Sequence, residues 1–95
     1  METGDIVERM HTKGGFRRLP LVSEESGQVV GWHLTRFMRG GYLDIVQVWN
    51  DGRAVWSRLL DSLSGPSRIA GATGSLPEVI AVLMPERGRH ATLDP

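Results

Sequence analysis

Tyr42-Leu43-Asp44-Ile45-Val46-Gln47-Val48-Trp49-Asn50-Asp51-Gly52-Arg53-Ala54-Val55-Trp56-Ser57-Arg58-Leu59-Leu60 is the stretch that decides the fold. Runs rich in aromatic and β-branched residues flank Asn50-Asp51-Gly52 on both sides. Asp-Gly supplies the positive φ angles that a tight hairpin turn requires. The middle of the chain therefore predicts an antiparallel hairpin, Tyr42 to Trp49 against Ala54 to Leu60, and the neighbouring segments can be registered against it.

Working towards the N-terminus, Gln28 to Phe37 predicts another strand, joined to the hairpin through Arg39-Gly40-Gly41. Phe16 to Val22 predicts one more, and Pro20, which lacks a ladder donor, confines it to an edge. Ser23-Glu24-Glu25-Ser26-Gly27 reads as the turn between them. Asp5 to His11 predicts a short helix with Ile6, Val7 and Met10 on one face, stopped at Gly14-Gly15. A helix so short does not hold alone in water, so it must dock or fray.

Towards the C-terminus, Asp61 to Gly74 is rich in Gly and Ser and reads as a long loop of the kind that is mobile or functional. Ser75 and Glu78 then form a capping box, with Pro77 in the first turn, where its missing donor costs nothing. Leu76, Val79, Ile80 and Leu83 make the apolar stripe of a helix that ends before Pro85. The expected fold is α+β: a four-stranded antiparallel β-meander with a C-terminal helix packed on one face and a short N-terminal helix. Residues 1–85 read as a single domain and residues 86–95 as a flexible C-terminal tail.

Two-residue turns at Gly40-Gly41 and Asp51-Gly52 place Trp32 opposite Trp49, with Trp56 one diagonal step beyond. That face also carries Leu34, Leu43, Ile45 and Ala54 and is taken as the core. The other face then shows Phe37, Tyr42, Asp44, Val46, Val48, Val55 and Leu59. A three-residue turn with Gly52 as a bulge is the alternative, and it flips the last strand.

Composition narrows the function classes. Ninety-five residues with 40% hydrophobic and 23% charged residues fit one folded domain. Lys plus Arg and Asp plus Glu stand at 11 each, so no global field attracts nucleic acid or anionic membrane. The chain has no Cys, which removes disulfides, thiolate metal sites and cysteine nucleophiles. Met1-Glu2-Thr3-Gly4-Asp5 does not resemble the basic start of a signal peptide, and no apolar run reaches bilayer length, so the expected location is cytoplasmic.

His11, His33 and His90 have no ligand spacing, and His33 finds no serine and carboxylate in reach, so no metal, cofactor or catalytic residue is assigned. Gly65 to Gly74 lacks the Gly-Lys-Ser/Thr ending of a phosphate-binding loop. What remains is a surface. The expected function is a small, non-enzymatic protein-binding module, a regulator, inhibitor or adaptor, with a protein partner or a homodimer on the second sheet face. Its partner-binding residues are read as Arg17, Arg18, Phe37, Arg39 and Tyr42, with Tyr42 as the anchor. The alternative is nucleic-acid binding by the basic N-terminal half of the sheet, where Lys13, Arg17, Arg18, Arg36 and Arg39 lie among Phe16, Phe37 and Tyr42.

Overall fold

In the computed structural model, which describes residues 2–83, the chain runs α1 (Thr3–Thr12), β1 (Arg17–Val22), β2 (Val29–Met38), β3 (Tyr42–Trp49), β4 (Arg53–Leu60), β5 (Ser67–Ser75) and α2 (Leu76–Leu83). The strands form one antiparallel sheet in the order β1-β2-β3-β4-β5. The α+β class stands, with two helices and a meander, but the meander has five strands rather than four. The expected tail, 86–95, lies outside the described residues, as does the domain's expected end at residue 85.

The extra strand comes from the segment read as a loop. Ser67 to Ser75 pairs with β4 along its length, from Arg53 opposite Ser75 to Leu60 opposite Ser67, with a bulge where Arg58 and Leu59 meet Ala70 and Arg68. Its composition hid it, because Ala70, Gly71, Ala72 and Gly74 carry almost no hydrophobic periodicity. Small residues suit this strand. Ala72 lies opposite Trp56, and both Ala70 and Ala72 pack against the core. β5 runs directly into α2, where the capping box forms as read: the Ser75 amide donates to Glu78 Oε1 at 3.0 Å and the Glu78 amide to Ser75 Oγ at 3.4 Å.

Both central turns hold three residues. Met38 pairs with Tyr42 across Arg39-Gly40-Gly41, and Val48 pairs with Ala54 around Asn50-Asp51-Gly52. Gly40, Gly41 and Gly52 have φ of 86°, 83° and 92°. The Gly52 amide donates to the Trp49 carbonyl at 2.9 Å, and Asp51 Oδ1 accepts from the Arg53 amide at 3.0 Å. This is a type I turn closed by a glycine bulge. Each turn is one residue longer than the two-residue expectation, so each inverts the facing of the next strand. The two inversions cancel between β2 and β4 and leave β3 alone reversed. Trp32, Leu34 and Trp56 stay on one face as expected, while Val46 and Val48 turn in and Leu43, Ile45 and Trp49 turn out.

The core lies on that first face. Leu34, Val46, Val48, Ala54 and Trp56 form one buried cluster with Phe16, with Val7 and Met10 of α1 and with Leu76, Val79 and Leu83 of α2. Burying each large aliphatic or aromatic side chain contributes roughly 1.5–3 kcal/mol, and that is what holds two short helices that could not stand alone. Trp49, expected at the centre of the core, is instead half-buried on the second face, with the Arg53 guanidinium 5.8 Å from its ring centroid.

Candidate interaction surface

Asp44 shows how the two faces divide. It is fully buried on the helix side of β3, although a sequence reading puts it outside. Its neighbours across the sheet are Arg36 on β2 and Arg58 on β4. Arg58 donates through Nε to Oδ1 at 2.7 Å and through Nη2 to Oδ2 at 3.0 Å; Arg36 Nη2 donates to Oδ2 at 3.1 Å, and Trp56 Nε1 to Oδ1 at 3.0 Å. Burial pushes the Asp44 carboxyl up, but the hydrogen bonds from Arg58, Trp56 and Arg36 outweigh it and hold the group below the ordinary aspartate range. The same pairing raises Arg58.

Arg36 also donates through Nη1 to the Gly14 carbonyl at 3.1 Å and stacks on Phe16 at 4.4 Å, tying the α1–β1 connection to the sheet. Its Nε is buried without a partner. With every carboxylate lone pair directed at a donor and both cations engaged, this cluster is a staple across three strands. It has no free group for acid–base work, and no set of three metal-binding side chains occurs among the described residues.

The second face is built differently. Phe37, Leu43 and Leu59 lie directly side by side across β2, β3 and β4, and Arg68 of β5 continues the row. The next row runs Arg17, Thr35, Ile45, Ser57 and Gly71 from β1 to β5. Phe37 is 78% exposed, and no helix among the described residues contributes to this face. Phe37, Gly41, Leu43, Leu59, Asp61 and Pro66 enclose an apolar recess of about 220 Å³ at its end.

Charge frames the apolar row. Among the described residues Arg17 and Arg68 have no ion pair, and Arg68 lies flat over Gly71, where a β-carbon would collide with Nη2. Arg53 is held by Asp51 at 2.8 Å. No strand residue turned to this face is Asp or Glu, whereas Glu8, Asp44 and Glu78 lie on the helices or inside the core.

The five residues read from sequence as partner-binding do not share one surface. Arg17 and Phe37 are on the open face. Arg18 points to the helix side, paired with Glu8 and 5.1 Å from the Trp32 ring centroid. Tyr42 also belongs to the helix-side parity, opposite Met38 and Leu60, and Arg39 sits in the β2–β3 turn rather than across from Tyr42. Leu43, Ile45 and Arg68 are the residues the sequence reading left out of this surface. The first two were hidden by turn length and the third by an unrecognised strand. Gly65 to Gly74, read from sequence as a loop without the phosphate-binding ending, mostly lies in β5, paired to β4. His11 bonds through Nδ1 with the Phe16 carbonyl at 2.8 Å, and His33 sits half-buried on the open face opposite Gln47 and Leu19. His90 lies outside the described residues.

No helix of the described residues is long and apolar enough to cross a membrane. Compared with protein families, with curated proteins and with solved structures, the chain matches none.

Proposed function

We propose that the chain is a protein-binding module, of the regulator, inhibitor or adaptor kind, that engages its partner through the open face of the sheet and carries out no chemistry of its own. The observation that carries this reading is the apolar row Phe37, Leu43 and Leu59, with Phe37 exposed and the two leucines half-buried, beside an apolar recess on a sheet face without a covering helix among the described residues. Antiparallel sheets commonly leave one face to water, but that face is then polar. Here one end of that face is apolar: Phe37 is open to solvent beside half-buried Leu43 and Leu59 and the recess, a contiguous patch of the kind that marks an interaction site. The absence of cysteine agrees with a reducing compartment such as the cytoplasm.

Nucleic-acid binding fits the geometry less well. A stacking platform needs aromatic rings on successive bases. On the open face Phe37 and Trp49 stand three rows apart, ~20 Å along the strands. Arg18 and Arg36, part of the expected basic surface, are engaged by Glu8 and Asp44.

Affinity capture from the native cell, comparing the parent with Leu43→Ser plus Phe37→Ser, tests the reading. A protein held by the parent and released by a double variant that keeps the parental circular dichroism at the capture temperature is the expected result; Leu43→Ser itself costs some stability, since Leu43 is half-buried. A partner retained at parental affinity by that variant places the working surface elsewhere.

A further inference from the structure

We propose that the partner presents an acidic amphipathic helix, laid along β3 on the open face, with its apolar stripe on Leu43, Ile45, Leu59 and the recess beside Phe37 and its flanking carboxylates on Arg17 and Arg68. The inference rests on the open face being an interface and adds the chemistry of the occupant.

The argument is one of charge and width. Arg17 on β1 and Arg68 on β5 border the apolar rows at the two opposite edges of the sheet, and neither has an ion pair among the described residues. Four strand spacings separate those edges, ~19 Å. A helix with its side chains is about 10–12 Å across, so one helix on β3 leaves an arginine within a side-chain length on either flank. Apolar residues at i, i+3, i+4 and i+7 would face the strip, and residues bordering that stripe would meet the guanidiniums. Gly71 lets Arg68 lie flat on this face, since any β-carbon there would collide with its Nη2 and with the Trp56 carbonyl.

A second copy of the chain fits worse. A two-fold contact between open faces brings Arg17, Arg53 and Arg68 against the same cations, with no carboxylate from the strands of this face to meet them. The acidic residues near its border all lie in turns beyond the rows: Glu24 and Glu25 between β1 and β2, Asp51, already held by Arg53, and Asp61 at the end of the recess.

The test is a selection on the intact chain from a library of helical peptides with a fixed Leu stripe and flanks drawn from Glu, Gln and Lys. Two exposed pairs together account for about a tenfold preference, so the parent is expected to enrich Glu over Lys by about tenfold on both flanks. Arg17→Glu with Arg68→Glu, which breaks no ion pair and is expected to keep the parental melting temperature, should reverse the preference to Lys. Amide shifts with the winning peptide should centre on Leu43, Ile45 and Leu59. Unselected flanks, absence of peptide binding, or a preference indifferent to the two arginines overturns the proposal. So does a 20-residue oligouridine that shifts the same amides, or a stable dimer in sedimentation that uses this face. If any of these occurs while the double serine variant still loses its captured partner, the interface reading stands and the acidic helix alone falls.

Discussion

Leu43 and Asp44 are neighbours in β3, yet the carboxylate is fully sealed and the leucine only half-buried. The inversion extends across the sheet. On the helix side a row of Arg36, Asp44 and Arg58 is closed under the Phe16 and Trp56 rings; on the open side Phe37, Leu43 and Leu59 lie uncovered among the described residues. The contrast teaches that a carboxylate can join an apolar core once its hydrogen bonds are satisfied. Asp44 tolerates the interior because four hydrogen bonds meet its two oxygens. In the open row Leu43 and Leu59 are half-buried, and Phe37 alone is left largely to solvent.

The hardest test of this division compares two tryptophans. Trp56 is 4% exposed in the core cluster and Trp49 half-buried on the other face. Trp56→Ala is expected to cost about 3–5 kcal/mol, as truncation of a buried aromatic does, and Trp49→Ala about 1 kcal/mol. Urea titration of both reads the difference. Equal midpoints, or the reverse order, would return β3 to the two-residue register.

Next in size is Asp44→Ala, which leaves two guanidiniums and an indole N–H without their acceptor. Breaking a buried pair costs about 3–5 kcal/mol. Arg36 and Arg58 keep 20% and 25% side-chain exposure and can recover some hydration, so the lower end, about 3 kcal/mol, is expected. The sign of the acid response follows from the lowered Asp44 pKa. The folded state holds this proton less tightly than the unfolded chain, so the stabilisation is complete above the unfolded value of about 3.9 and is lost as pH falls through the lower, folded value. Asp51 and Glu78, also lowered, act in the same direction. Asp44→Asn should flatten the acid limb of melting temperature against pH; a limb as steep as the parent's would remove Asp44 from that role.

Gly52→Val probes the device that sets the facing. At φ of 92° a β-branched residue is strained, and a loss of about 2 kcal/mol is expected in chemical denaturation. An unchanged midpoint would mean the turn relaxes to another type, with β4 free to change its facing.

These turns also explain what could be read in advance. The strands β1 to β4, the edge position of β1, the capping box at Ser75 and the stripe of α2 were legible because each has a local signature in Pro20, Ser75-Glu78 or the spacing of Leu76, Val79 and Leu83. Facing was not legible. It depends on the parity of Arg39-Gly40-Gly41 and Asn50-Asp51-Gly52, where one residue decides and two- and three-residue turns accept the same Gly-rich sequence. β5 was missed for want of periodicity, and with it Arg68. Of the surface residues named from sequence, Phe37 and Arg17 reached the open face because β1 and β2 kept their facing, while Tyr42 moved with β3.

The smallest expected effect sharpens the contrast most. The chain has two phenylalanines, and the sheet divides them: Phe16 is 2% exposed under the Arg36 guanidinium, and Phe37 is 78% exposed. Phe16→Ser should cost several kcal/mol, about what other buried aromatic truncations cost. Phe37→Ser removes little buried area and no cation–π contact, so its stability should stay within about 0.5 kcal/mol of the parent. A ring that contributes so little to folding while lining an apolar recess is placed for something other than the fold. If Phe37→Ser instead lowers the melting temperature as much as Phe16→Ser, the open face is part of the core's support. Its apolar row would then be explained without a partner.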